Sequence, residues 1–174
     1  MLLLAVAGVR PAEVAAGIGV QPIDGGVELK IKGAKTDRGH GQPERVIAAV
    51  GPLALMLAAG GARTTPETTA NAVSVAAGKL GRKVFGVRRS NLVSAYSFRH
   101  QFASDLKASG LDGLSISAIL GHSVDDTKKH YGASKQARGA QTTRLIAATR
   151  TVKVLKKSAF APVRPNSEVN SLQR

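Results

Sequence analysis

Val27-Glu28-Leu29-Lys30-Ile31-Lys32 alternates apolar and charged residues without a miss. A period of two is the mark of a strand with one face buried and the other wet. Asp24-Gly25-Gly26 immediately before it is turn chemistry, so residues 20–23 are expected to form its hairpin partner. After a polar stretch at 35–42, residues 43–49 read as a third strand. A small three-stranded antiparallel sheet is therefore expected in the first third of the chain.

The rest of the pattern is helical. The apolar opening through Val9 reads as a core helix. It ends at Arg10, far short of the ~20 apolar residues that span a membrane, and has no basic segment ahead of it as a signal peptide would. Pro11 and Glu13 suit the first turn of a short helix through Ala16, stopped by Gly17 and Gly19. Residues 52–59 form another candidate, and residues 66–80 open with Thr65-Pro66-Glu67, a helix-start signal. Within 97–109, Phe98, Phe102 and Leu106 recur at i, i+4, i+8, and Gly110 closes the segment. Two short pieces follow, 115–120 and 124–130, divided by Gly121-His122. Residues 134–157 place Leu145, Ala148, Val152 and Leu155 on one helical face. Residues 158–174 read as a loose tail. The expected class is α+β, mainly α-helical, with one domain over residues 1–157.

Charge narrows the partner. The 174 residues carry 25 Lys and Arg against 11 Asp and Glu, a formal net charge of +14, which points to a polyanion, nucleic acid before membrane. A hydrophobic content of 43% is too high for a disordered basic tail, and at this length folding buries about 70% of the chain's surface. The absence of cysteine removes disulfides, iron–sulfur clusters and thiolate zinc sites. The four histidines contain no HExxH, so no metal is expected. Lys79, Arg82, Lys83, Arg88, Arg89 and Arg99 form a run with no acid among them, and residues 134–157 hold seven basic residues and no acidic one. A charge run alone is commonly just a solvated face; two in one basic domain suit tracking of duplex phosphates. Aromatic content of 3% argues against capture of single strands by base stacking. Gly33-Ala34-Lys35-Thr36 lacks the glycines of a phosphate-binding loop, and Gly17-Ile18-Gly19 has no third glycine at the right spacing.

The strongest signal is a set of spaced boxes. They are Ala7-Gly8-Val9-Arg10-Pro11-Ala12-Glu13; Lys35-Thr36 ahead of Arg45-Val46-Ile47; Tyr96-Ser97-Phe98-Arg99-His100-Gln101-Phe102-Ala103; Leu120-Gly121-His122-Ser123; and Tyr131, nine residues beyond His122. In this order they resemble the tyrosine recombinases, the phage-integrase family of site-specific DNA strand-transfer enzymes. The resemblance spans residues 10 to 131 and implies a helical catalytic domain with a small sheet, double-stranded DNA as substrate, no cofactor, and a homo-oligomer on paired DNA sites. By the same resemblance Arg10 and Arg99 clamp the phosphate and His122 supports it. Lys35 is the general acid, and Tyr131 is the nucleophile that forms a 3′-phosphotyrosyl link.

Elementary chemistry asks for the same types of group. Breaking a phosphodiester without metal needs permanent charge on the non-bridging oxygens, which bidentate guanidiniums supply. It also needs a hydroxyl nucleophile and a proton donor at the departing oxygen. The chain has only two tyrosines, Tyr96 and Tyr131. Glu13 is expected to orient its helix or Arg10, and His100 and His130 to pack or hydrogen-bond. Lys79, Arg82, Lys83, Arg88 and Arg89 are the expected backbone-binding residues.

The chain departs from the family pattern twice. Tyr96 stands where the second box usually has its first histidine, and a phenol with pKa about 10 is a poor base at neutral pH. The N-terminal DNA-binding domain usual in the family has no counterpart ahead of the first box, so a fragment or truncated product is expected, with the cytoplasm as its compartment. The alternative is a DNA-binding module without cleavage. A ribosomal-type RNA-binding protein would leave the boxes as coincidence, and a type IB topoisomerase would share the tyrosine chemistry.

Overall fold

A computed structural model of the chain describes residues 1–87, 92–124, 134–138 and 142–154. Among them are six α-helices and five strands, an α+β arrangement. The order is α1 (Leu2–Ala7), α2 (Pro11–Ala15), β1 (Ile18–Ile23), β2 (Gly26–Lys32), β3 (Glu44–Val50), α3 (Pro52–Ala58), β4 (Arg63–Thr64), α4 (Ala70–Phe85), α5 (Ala95–Ala108), α6 (Gly113–Ile119) and β5 (Thr142–Ala148). The sheet runs β4-β1-β2-β3-β5 with every pairing antiparallel.

The β1–β2–β3 meander is the one the alternation predicts. Ile18 faces Ile31, Val20 faces Leu29, Leu29 faces Ile47 and Val27 faces Ala49, all buried on one side of the sheet. A slip of one residue would expose Leu29 and Ile31 and bury Lys30 and Lys32. At roughly 1.5–3 kcal/mol for each large apolar side chain, the register is fixed. Helices α1 and α3 pack on this face, α5 packs on α1, and α2 packs on α4.

The expectation of three strands is corrected to five. The added edge that matters is β5, which pairs along β3 from Val50↔Thr142 to Arg45↔Ala148 with an irregularity at Val46/Ile47. The helix expected over residues 134–157 is not what the described residues of that range form. Residues 134–136 make one 3₁₀ turn and residues 142–148 are strand. The stripe of Leu145, Ala148 and Val152 fits a helix by spacing, yet pairing satisfies the β3 edge and seats Leu145 against the core. An open edge next to buried Ile47 outweighs a helical period.

Helix α4 starts four residues later than its Thr-Pro-Glu signal. Thr65 is already engaged with β1, its N–H donating to the Ile18 carbonyl (2.9 Å) and its Oγ1 accepting from Ile18 N (2.9 Å). Thr69 caps the helix instead, accepting from Ala72 N. The expected segment 124–130, apart from Val124, and the tail 158–174 lie outside the described residues. Among the described residues no helix is long and apolar enough to cross a membrane.

Candidate active site

Arg10 is where α1 hands over to α2. Helix α1 ends on Gly8, whose φ of +56° is left-handed backbone. A Cβ there would lie 2.4 Å from the Phe102 ring, so only glycine lets the turn sit against α5. Two residues on, Arg10 caps α2, and Glu13 in the first turn folds back to it. Arg10 N donates to Glu13 Oε2 and Arg10 Nη1 to Glu13 Oε1, both at 2.8 Å. Of the two roles expected for Glu13, orienting its helix or orienting Arg10, the backbone bond belongs to the helix start and the side-chain bond to Arg10.

The same carboxylate holds a second guanidinium that the sequence reasoning did not single out. Arg45 Nη1 and Nη2 donate to Glu13 Oε1 and Oε2 at 3.0 Å each, and both side chains are fully buried. Arg45 faces Ile31 across the sheet, on the apolar side. A signal for it was present: in β3 it shares the parity of Ile47 and Ala49, so it had to point inward.

Arg99 sits on the buried stripe of α5 with Ala95, Phe102 and Leu106 and has no exposure. Its Nη1 donates to the Gly8 carbonyl (2.6 Å) and its Nη2 to the Leu120 carbonyl (2.5 Å) and to His122 Nε2 (3.1 Å). A guanidinium cannot accept, so His122 Nε2 is the acceptor and the ring proton sits on Nδ1.

Helix α6 places His122 by its ending. Gly121, at φ +74°, closes a double turn in which His122 N donates to Ser117 O and Gly121 N to Ala118 O. The next two carbonyls, which a helix end leaves without partners, are taken by arginines: Ile119 O accepts from Arg45 Nε (2.8 Å) and Leu120 O from Arg99. Two guanidiniums thus cap the negative end of α6. A Cβ on Gly121 would lie 2.6 Å from Arg45 Nη1, so glycine is required there for closeness as well as for φ.

Electrostatics follow from this packing. His122 is pushed down to about 3, first by burial and then by the charges of Arg99, Arg10 and Arg45, against a smaller opposing effect of Glu13. It is neutral at physiological pH. For Glu13, burial acts upward, but the charge and hydrogen bonds of Arg45 and the proximity of Arg10 outweigh it, and its carboxyl is held below the usual range. Arg10 and Arg45 share the one carboxylate of Glu13, while Arg99 bonds main-chain carbonyls and His122 instead, so the cluster carries three guanidiniums against one carboxylate.

Lys35 is exposed in the loop joining β2 to β3. A cavity of about 290 Å³ is lined by Arg10, Lys35 and Tyr96, with Ala70, Asn71 and Ser74 of α4 on its wall. Three residues chosen from boxes 86 positions apart therefore share one hollow. Tyr96 is 48% exposed on the first turn of α5. Lys79, Arg82 and Lys83 are exposed on α4, while Arg88, Arg89 and Tyr131 lie outside the described residues. Two further residues, Gln42 and Arg150, tie the Lys35 loop to the His122 loop. No periodicity pointed to them, because their contacts join distant parts of the chain. Among the described residues no group of three or more His, Asp or Glu is placed to hold a metal ion. No protein-family model and no curated protein matches the sequence.

Proposed function

We propose that the chain is the catalytic domain of a tyrosine-type site-specific recombinase, with that family's fold, acting as a homo-oligomer on double-stranded DNA. The observation that carries the reading is the shared hollow of Arg10, Lys35 and Tyr96, with Arg99 bonded to the Gly8 carbonyl two residues before Arg10 and to His122.

Each group has a chemical task. The phenolic oxygen of Tyr131 attacks phosphorus, its proton passing to solvent, and the bond to the 5′ oxygen breaks. Lys35 gives that oxygen a proton, leaving a 5′ hydroxyl and a 3′-phosphotyrosyl ester. Attack by a 5′ hydroxyl reverses the steps and reseals a strand, so the phosphodiester count is unchanged. Arg10 and Arg99 offset charge on the non-bridging oxygens, and neutral His122 hydrogen-bonds. Lys79, Arg82, Lys83, Arg88 and Arg89 follow the flanking backbone.

One observation favours a second reading, a duplex-binding module that does not cut. Arg99 is fully buried and its Nη groups already donate to the chain's own carbonyls, so a phosphate must displace or share those bonds. Covalent capture separates the two readings. The protein is mixed with a nicked duplex library of randomised sequence, and SDS-resistant adducts are collected. The recombinase reading expects an adduct from the parent, lost in Tyr131→Phe and sharply reduced in Arg99→Ala. Salt-sensitive binding with no adduct selects the binding module.

A further inference from the structure

The loop that carries Lys35 is 11 residues long, 33–43, and Gly33 N to Pro43 O (2.8 Å) closes its base. Long loops hold their tips only where something pins them, and the pin here is Arg150, just past β5. Its Nη1 donates to His40 O (3.0 Å) and Gly41 O (3.2 Å) and, at longer range, to Thr36 O (3.4 Å), the residue after Lys35. One side chain thus gathers carbonyls from both ends of the loop's tip.

Arg150 is itself fixed through Gln42, which is 1% exposed. Gln42 Oε1 accepts from Arg150 N (2.8 Å), and Gln42 Nε2 donates to Arg150 O (2.7 Å) and to His122 O (3.1 Å). Gln42 N reaches Gly121 O (3.3 Å), and Gly41 N reaches Ser123 Oγ (3.1 Å). The amide of Gln42 therefore has both donors and its acceptor in use. The Lys35 loop and the His122 turn are joined by side-chain bonds that run to one residue after β5.

We propose that Arg150, seated by Gln42, is a positioning residue for Lys35, holding the loop so that the ammonium meets the departing 5′ oxygen opposite His122. This rests on the recombinase reading. It also reassigns Arg150 from the basic surface that its charge suggested: the residue is half-buried and turned onto the loop. The chemistry shows why such a pin matters. A general acid must lie within hydrogen-bond reach of the oxygen it protonates, and a displacement of about 1 Å can cost roughly 10²-fold in rate.

Two measurements on the full chain test it. The first uses the site recovered by capture from the randomised library, made once with a 5′-bridging oxygen and once with a 5′-bridging sulfur. A thiol ionises near pH 8.5, so the sulfur departs without a proton. Arg150→Met and Arg150→Lys should slow cleavage of the oxygen substrate roughly 10–100-fold and cleave the sulfur substrate at the parent's rate, as should Lys35→Ala. Equal losses on both substrates, or no loss on the oxygen substrate, overturn the proposal. The second is hydrogen exchange at Gly41 and Gln42, with the β2–β3 amides reporting that the fold is intact. Faster exchange confined to the loop supports the pin, and unchanged exchange overturns it whatever the DNA results. A parent that captures no DNA, with the loop still loosened by Arg150→Met, overturns the recombinase reading and the catalytic meaning of the pin, and leaves the mechanical contact established.

Discussion

Glu13 and Arg45 form a two-bond ion pair, Oε1 to Nη1 and Oε2 to Nη2 at 3.0 Å each, with neither side chain exposed. The pair sits where α2, β3 and the end of α6 meet, because Arg45 Nε also donates to the Ile119 carbonyl. Its partner Glu13 holds Arg10 from the other side. The geometry of the hollow thus depends on a contact that never reaches solvent.

Removing either partner should be costly. A buried charge left alone destabilises by about 3–5 kcal/mol, so Glu13→Gln, which strips Arg45 of its carboxylate, should lower Tm by roughly 6–20 °C for a chain of this length, and Arg45→Met should cost less because Glu13 keeps Arg10. The double variant Glu13→Gln with Arg45→Met should lose less than the two single losses added together, since Arg45 is no longer left unpaired when Glu13 is gone. Thermal melts of the four proteins decide this. Additive losses would show that the pair is not acting as a unit.

Arg45 also shows what the sequence could reveal. The parity of Arg45, Ile47 and Ala49 was enough to aim the arginine into the core, but its partner lies 32 residues away and only the meeting of α2 with the sheet brings it there. The three central strands were legible because Val27 to Lys32 alternates strictly. β5 was not, since Thr142 to Ala148 carries no alternation, and the open edge of β3 that recruits it is a property of the assembled sheet. Box order marks Arg10, Lys35, Arg99 and His122 as candidates, and the hollow joins Arg10 and Lys35. Gln42 and Arg150 could not be marked this way, because a buried glutamine bonding to main chain from two distant segments leaves no mark on local pattern.

His122 should impose a pH dependence on stability. Its native pKa of about 3 lies below the ordinary value of 6.5. Between those values the unfolded ring binds a proton that the native ring refuses, so stability falls as pH drops from about 6.5 toward 3. Glu13, held below its ordinary 4.5, adds a further loss on acidification below that value. Urea midpoints at pH 7, 6 and 5 should decline in the parent and stay flatter in His122→Gln. By the same shift, the pH profile of adduct formation should show no histidine limb near neutrality that His122→Gln removes; finding one would mean the ring is protonated in the working enzyme.

Lys79, Arg82 and Lys83 should act through charge alone. All three are exposed on α4, outside the hollow's lining. Replacing each with alanine should leave stability within about 0.5 kcal/mol. If each neutralises one phosphate, each replacement lowers the slope of log K against log salt by about 0.9 on any duplex sequence. Binding isotherms from 50 to 200 mM salt give the slopes. An unchanged slope in the triple variant would take α4 off the DNA path.

Tyr96 offers the sharpest test of the chemistry, because a single substitution should improve the protein. Its ring lines the hollow beside Arg10 and Lys35 and is 48% exposed, so Tyr96→His has no core packing to lose and should stay within about 0.5 kcal/mol of the parent. A phenol is a poor proton acceptor at neutral pH, whereas an imidazole exchanges protons readily there. Single-turnover adduct formation should rise by roughly 10²-fold, the low end of what a placed acid–base group contributes, with duplex affinity unchanged. A gain confined to pH above the imidazole pKa would identify the ring as a base. An equal gain in affinity and rate would instead mean that the substitution only tightened binding, and would remove Tyr96 from the list of groups that touch the reaction.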